Sequence, residues 1–255
     1  MREPVRQRLL ELNRDFYAQV ADPFDATRQR ATPGLSAILP YFRPAGKGMA
    51  IPETGRDARP TVLDVGCGNG LFARLLDAQG IVCDYTGVDG NADLLHRAEA
   101  ASADLTTVHC RFVQADLSDP TWSAGLDGER FSRLLCTATI QHLPGYDLRR
   151  QVVRDLARLC TGAIVLSFWQ FLTSERFRAR RIDWSVLGLD ESDVDPGDAL
   201  LPWKQGVEAT RYVHQVDESE LGRLAADAGL SVVNTFRADG KEGNLNLYAL
   251  LQPIN

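Results

Sequence analysis

Lysine is nearly absent from this chain: three of its 28 basic side chains are Lys (Lys47, Lys204, Lys241) and the rest are Arg. Basic residues are outnumbered by 34 acidic ones, for a net charge of −6. That balance excludes an autonomous nucleic-acid-binding module as a description of the whole protein, so any such contact must come from a local patch. Long apolar runs are missing too. The longest, around Ala163 to Leu172, is interrupted by Ser167 and Gln170 and falls short of the ~18 residues of a spanning helix. The opening MREPVRQRLLELNRDFY interleaves charges with apolar residues, unlike the core of a signal peptide, and a cytoplasmic protein is expected. The five cysteines (Cys67, Cys83, Cys110, Cys136, Cys160) form no CxxC pair and read as buried free thiols, with no metal site. There are no internal repeats or low-complexity tracts. What remains is 255 residues, 44% hydrophobic, enough for one domain with an insertion.

The apolar periodicity divides the chain. Val5, Leu9, Leu12, Phe16 and Val20 fall at three- and four-residue steps and predict a helix over 5–20. A Pro- and Gly-punctuated stretch from Asp22 to Pro60 follows, with a short helix near Leu35 to Tyr41 and a mobile connector from Gly46 to Pro60. From Thr61 short β-rich runs alternate with helical ones: TVLDV, a helix Asn69 to Gln79, YTGVD, a helix Ala92 to Ala101, TVHCRFVQA, FSRLLCTA, a helix Asp147 to Leu159, and AIVLSF. This alternation predicts an α/β fold, a parallel sheet with helices on both faces. About 45 irregular residues (Trp169 to Gln215) then precede a helix from Glu218 to Ala228 and two strands, SVVNTF and NLNLYALL. The turn-rich ADGKEGN between them implies a hairpin that leaves an antiparallel strand at the C-terminal sheet edge. The expected organisation is an N-terminal helical segment and connector over 1–60 and a core over 61–255 carrying an insertion at 169–215.

The junction of the first strand and helix, VLDVGCGNG, places Gly66, Gly68 and Gly70 where the backbone must turn sharply and approach a ligand. A dinucleotide fingerprint requires a glycine where Leu71 stands. Asp64, two residues before Gly66, would be of no use to a pyrophosphate but suits an ammonium group. Asp89, followed by Gly90, ends the second strand 21 residues after Gly68, where a carboxylate accepts from ribose hydroxyls. Asp116 ends the third strand. Together these fit a ligand with an amino-acid part, a ribose and an adenine, and no phosphates.

On these residues the chain resembles the class I S-adenosylmethionine-dependent methyltransferases, which implies a Rossmann-like, mostly parallel seven-stranded sheet with S-adenosylmethionine as cofactor. By that resemblance the turn Gly66, Gly68, Asn69 and Gly70 lies against the methionine part, Asp89 with Gly90 holds the ribose, and Asp116 and the Leu117 N–H read the adenine. The fourth strand ends in CTATIQHLP, without the [DNS]-P-P-[YF] of exocyclic-amine enzymes or the Pro-Cys of pyrimidine carbon-5 enzymes. His142 there is either a general base or a helix-capping, pocket-lining residue.

Outside the core the chain is similar to the tRNA wobble-uridine carboxymethyl methyltransferases. The similar segments are FYAQVADPFDATR, GDALLPWK, RYVHQVDESEL and the final DGKEGNLNLYALLQ. Val213, Gln141 and Leu245 replace a Tyr, a His and a Trp of that pattern. The resemblance implies a carboxylate acceptor on a modified uridine in tRNA, and in its eukaryotic members a small zinc-binding partner subunit. Arg28 is then expected at the cofactor's carboxylate and Arg211 at the acceptor, with Tyr212 and His214 lining the pocket. The run Arg176, Arg178, Arg180 and Arg181 is either a phosphate-binding patch or a solvated helix face. The competing expectation is a small-molecule O-methyltransferase acting on a metabolite or natural-product acid or hydroxyl.

Overall fold

The structure is a computed structural model that describes residues 1–43 and 59–254. The expected connector therefore lies outside the described residues except for Arg59 and Pro60. The chain runs α1 (Glu3–Thr27), α2 (Pro33–Ile38), β1 (Thr61–Val65), α3 (Leu71–Ala78), β2 (Cys83–Asp89), α4 (Ala92–Ser102), β3 (Val108–Gln114), β4 (Phe131–Thr137), α5 (Tyr146–Leu159) and β5 (Cys160–Trp169). It continues through α6 (Glu175–Arg178), β6 (Asp198–Gln205), β7 (Val207–His214), α7 (Glu218–Asp227), β8 (Leu230–Ala238) and β9 (Asn246–Pro253).

β1 and β5 carry almost uninterrupted apolar runs and are buried nearly throughout, as strands covered on both faces must be. They form the middle of a seven-stranded sheet ordered β3-β2-β1-β4-β5-β9-β8. β1 to β5 pair in parallel, and β9 is antiparallel to both β5 and β8. The antiparallel hairpin stands at the edge as expected, with β9 one place in and β8 outermost. One core layer joins the sheet to α5 and α7 through Val152, Leu156, Leu221 and Leu224. The other joins it to α2 and α3 through Ile38, Phe72 and Leu76. The strand order reverses between β1 and β4, and the crevice at the carboxyl ends of strands beside such a reversal is where open α/β sheets bind ligands.

Two expectations need correction. The insertion is not irregular: β6 and β7 form a separate two-stranded antiparallel sheet. The period-two signal was present, with Ala199, Leu201 and Trp203 alternating against Leu200, but Pro202 within the run argues against a strand. Pro202 is accommodated because the hairpin is only two strands wide, so a missing N–H on its outer edge breaks no ladder. The first helix also extends past Val20 to Thr27 through Pro23. Tertiary contacts hold the extra turns: Arg97 of α4 pairs with Asp22 and lies 3.5 Å from Asp25, and the Asn69 amide donates to Asp25 and to the Arg28 carbonyl.

Besides its apolar contacts, α1 is tied to β7 by one buried polar side chain. Asn13 Nδ2 donates to the Tyr212 carbonyl at 3.1 Å and the His142 carbonyl at 3.0 Å, while its Oδ1 accepts from the Tyr212 N–H at 2.8 Å. The amide thus takes the place of a neighbouring strand. Asn13→Ala should cost about 1–3 kcal/mol, since it strands the Tyr212 N–H in a dry interface. Denaturant unfolding would register this as a lower midpoint with an unchanged slope.

Candidate active site

The carboxyl ends of β1, β2, β4 and β5, roofed by α1, enclose a cavity of about 870 Å³. That lies in the upper part of the ~300–1,000 Å³ range of small-molecule sites, enough for two ligands side by side. The predicted residues Arg28, Asp64, Gly66, Gly68, Asn69, Asp89, Gly90, Asp116, Leu117, His142 and Arg211 all line it. Gly70, also predicted, is not part of the wall; it sits with φ +70° at the start of α3.

One end of the cavity is acidic. Gly66 and Gly68 have φ of +79° and +54°, and a Cβ on Gly66 would strike the Thr139 hydroxyl at 2.1 Å, whereas one on Gly68 would meet nothing within 4 Å. The turn is therefore closed on the β4 side and open towards the cavity. The Asp89 carboxylate accepts from the Gly68 and Asn91 N–H groups, both at 2.9 Å. Burial pushes its pKa up, against these backbone bonds. Asp64 is more strained electrostatically: it is buried, accepts from the Tyr85 hydroxyl at 2.6 Å, and burial raises its pKa to about 7, with Tyr85 opposing and Asp89 adding to the shift. A carboxyl in that state is what a cationic ligand would stabilise. Asp116 is tied by the Ser118 N–H and hydroxyl and lies 3.7 Å from Arg14. The Asn69 side chain, by contrast, is consumed in fastening the end of α1.

The other end is cationic and aromatic. Arg211 on β7 lies over the ring of Trp169 at 4.9 Å, with Phe16 at 5.5 Å and Trp203 at 5.6 Å. Three rings around one guanidinium are a cation–π cage. No carboxylate forms an ion pair with Arg211 among the described residues, and two buried donors on pocket-lining residues, Arg211 Nε and Trp169 Nε1, have no hydrogen-bond partner. Burial pulls the guanidinium below its ordinary pKa, Tyr17 opposing and the nearby Arg28 adding to the shift.

Tyr17, His142 and Arg211 form one oriented chain of hydrogen bonds. The Tyr212 carbonyl can only accept, so His142 Nδ1 (3.2 Å) carries the proton and Nε2 accepts from the Tyr17 hydroxyl at 2.9 Å. The Tyr17 oxygen in turn bonds Arg211. Burial, then Arg211, hold the His142 pKa down to about 3 against the Tyr212 bond, so the imidazole is neutral and does not titrate near pH 7.

Tyr212 and His214 do not line the cavity, contrary to expectation. Alternation along β7 sends Arg211 to one face and these two to the other, where the Tyr212 hydroxyl and His214 both bond Asp198. The Arg176–Arg181 run does not line it either. Sequence reasoning overlooked Tyr17 and Trp169, although Tyr17 lies inside the quoted FYAQVADPFDATR segment and Trp169 ends a core strand, the position where ligands are met. The five cysteines are free, four of them buried.

With this geometry in place, comparisons with known proteins agree on the class. Residues 62–162 match the family model described as "Methyltransferase domain". The structure of 1,6-didemethyltoxoflavin-N1-methyltransferase from Burkholderia thailandensis, bound to 1,6-didemethyltoxoflavin and S-adenosylhomocysteine, superposes with a TM-score of 0.64 at 20% identity. It covers 100% of this chain and 92% of that one. Among curated proteins, the chain is 32% identical over 133 residues to a 23S rRNA (uracil(1939)-C(5))-methyltransferase from Pseudomonas entomophila (49% of this chain, 28% of the relative). It is 28% identical over 117 residues to a malonyl-[acyl-carrier protein] O-methyltransferase from Paenibacillus (46% and 41%). The chain thus matches less than half the length of either curated relative. Residues 62–162 thus match a methyltransferase domain, within a fold that the chain shares with solved methyltransferases. Among the described residues no three or more His, Cys, Asp or Glu side chains are grouped to hold a metal, and no helix is long and apolar enough to cross a membrane.

The raised Asp64 pKa has a sign that can be measured. In an unfolded chain this carboxyl titrates near ~4, so in the fold without ligand it costs stability increasingly as pH rises from about 4 to about 7. Asp64→Asn should leave stability unchanged near pH 4 and raise it above pH 7, by on the order of 1–4 kcal/mol. Thermal unfolding across that range would show the two curves separating with pH.

Proposed function

We propose that this chain transfers the methyl group of S-adenosylmethionine to a carboxylate, forming a methyl ester. The residues fit the cofactor: Gly68 opens the turn towards the cavity, the Asp89 carboxylate stands beside it, and Asp64 is a buried acid that meets no cation among the described residues. Asp64 and Arg28 would hold the ammonium and carboxylate of the methionine part, Asp89 the ribose, and Asp116 with the Leu117 N–H the adenine. Bound there, S-adenosylmethionine supplies a methyl group on a sulfonium sulfur.

The observation that carries the acceptor class is Arg211, a guanidinium caged by three aromatic rings without a counter-ion among the described residues. An arginine fork can orient a carboxylate by paired hydrogen bonds, and a lysine ammonium cannot reproduce that geometry. The cage and the Tyr17 bond fix the fork before the acceptor arrives, and α1 screens the site from water. A carboxylic acid with a pKa of ~4 is already ionised at pH 7 and needs no general base. His142, neutral and with a pKa held near 3, then serves to orient Tyr17 rather than to remove a proton.

Within that class, the carboxymethyl group of a modified wobble uridine in tRNA is the reading supported by the segments around Thr27–Arg28, Pro202–Trp203 and Arg211–His214. Trp203 and Arg211 of these segments meet in the cage, and Arg28 adjoins it. The exposed Arg176, Arg178, Arg180 and Arg181 would provide phosphate contacts beside the site: Arg176 lies 5.5 Å from the Phe177 ring, which packs 4.7 Å from Trp169. A small-molecule acid is the second reading, favoured by a cavity that Arg211 and α1 wall in. The matched malonyl-[acyl-carrier protein] relative is itself an O-methyltransferase.

Two measurements test this. Titration with S-adenosylhomocysteine should show Asp89→Ala weaker by ~1–3 kcal/mol, the scale of a hydroxyl losing a charged partner; unchanged affinity would refute the cofactor assignment. Methyl transfer to tRNA from cells lacking the gene should fall at least tenfold in Arg211→Lys, ~1.4 kcal/mol or more, and the unaltered protein should show no limb between pH 6 and 8 from His142. A limb near pH 6.5 that vanishes in His142→Ala would instead indicate a hydroxyl acceptor. Removing Arg176, Arg178 and Arg180 together should lower tRNA binding and flatten its salt dependence if the acceptor is tRNA, and change nothing if it is a small acid.

A further inference from the structure

The face of β7 turned away from the cavity carries a second group of buried charges, which the proposed chemistry does not use. His214 is 1% exposed and bonds two carboxylates at once, Asp198 of β6 through Nδ1 at 2.7 Å and Glu220 of α7 through Nε2 at 2.8 Å. Both partners are acceptors, so both ring nitrogens carry protons and the ring is an imidazolium. Glu220 also accepts from Arg149 Nε of α5 at 2.8 Å, and Arg149 donates to the Leu143 carbonyl. Asp198 further accepts from the Tyr212 hydroxyl at 2.6 Å and the Asp195 N–H at 2.9 Å. Two carboxylates and two cations leave the group neutral. Burial opposes the charge on His214, but the bonds to Asp198 and Glu220 outweigh it and raise the pKa. In Glu220 burial is likewise overcome, by His214 and Arg149, and its pKa is lowered.

We infer that His214 is a positioning residue for Arg211, keying the register of β7 so that the guanidinium faces the cavity. The inference rests on the proposed role of Arg211. β7 pairs with β6 alone in a two-stranded sheet, and a lone hairpin is marginal by itself. Its side chains alternate, so a slip of one residue would turn Arg211 inward and Tyr212 into the cavity. An apolar contact would tolerate such a slip. A ring that must meet one carboxylate on the hairpin and another on the core does not, and fixing register is the best-attested use of buried ionic groups. Asn13 holds the same strand from the α1 side, at Tyr212, so the residue next to Arg211 is fixed from the helix and the residue three along from the core.

The groups facing His214 are Asp198, Glu220, Arg149 and Tyr212. Since the His214 pKa is raised and that of Glu220 lowered, the clamp is intact around neutral pH and is lost as pH rises through a value above the ordinary ~6.5 of the imidazole. In nitrogen-15 NMR of the full chain, the Arg211 Nε–H signal is identified by its loss in Arg211→Lys and the His214 ring by its loss in His214→Gln. The Arg211 signal should shift as the His214 ring loses its proton, and Glu220→Gln should move both transitions together to lower pH. With tRNA from cells lacking the gene as acceptor, Glu220→Gln at pH 8 should raise the acceptor KM tenfold or more, while S-adenosylhomocysteine affinity stays within twofold. An Arg211 signal indifferent to the His214 titration would overturn the inference, and it decides the matter even if Glu220→Gln does not fold. A rise in acceptor KM matched by a comparable loss of cofactor affinity would also overturn it. If the two signals titrate together but no carboxylate on tRNA is methylated, the register key stands and the proposed acceptor falls.

Discussion

A guanidinium buried without a counter-ion among the described residues is the constraint around which the parts outside the sheet are arranged. Desolvating Arg211 is unfavourable, and the fold compensates with what does not neutralise it: the faces of Trp169, Phe16 and Trp203 and the oxygen of Tyr17. These come from three places in the chain: α1, the end of β5 and β6. The N-terminal helix and the hairpin therefore share one task. A carboxylate among these residues would have been the simpler solution for stability, but it would have occupied the fork. Buried hydrogen-bonding capacity without partners concentrates where a ligand is meant to complete it.

The cavity separates its charges along its length. Asp64, Asp89 and Asp116 stand at the ends of β1, β2 and β3, while Arg28 and Arg211 come from α1 and the hairpin. The sheet thus presents acids and the added segments present cations, and Tyr17 sits between them, close enough to Asp89, Arg28 and Arg211 to feel all three. Two ligands of opposite character can be sorted by this field with no moving part. The left-handed conformation of Ala138, φ +52°, occurs at the same place. It is fixed by the bonds of its N–H to the Ser167 carbonyl and hydroxyl and brings Thr139 against Gly66, closing the turn on that side. Such a conformation costs a non-glycine residue on the order of 1–3 kcal/mol and is characteristic of functional sites.

The core was legible in the sequence because its strands and helices obey short-range rules. Glycine spacing, the acid at each strand end and apolar periodicity located β1 to β5 within a residue or two and most of the acidic wall of the cavity. The hairpin was not legible, because Pro202 contradicts a strand and the pairing of Asp198 with His214 is visible only once both are placed. For the same reason Tyr212 and His214 were put in the cavity with Arg211: proximity in sequence suggested a shared role, whereas a strand gives neighbours opposite faces. Asn69 shows the converse, a residue at the right place whose side chain is committed elsewhere. Tyr17 belongs to a helix whose inner face only the tertiary contacts define.

The Asn13 bonds to Tyr212 span 199 residues of chain. Synthesis delivers α1 first, and at ~5–20 residues per second its partner strand follows roughly 10–40 s later. Through that interval Leu9, Phe16 and Val20, fully covered in the finished fold, have no hairpin to lie against. The sheet can assemble from β1 to β5 as they emerge, so the scaffold precedes the closed cavity. Closing the cavity becomes a late, long-range event, and a nascent or truncated chain ending before β7 would hold a formed glycine turn with neither a docked roof nor Arg211. Quality control that senses exposed apolar helices would therefore act on the state that cannot yet do chemistry.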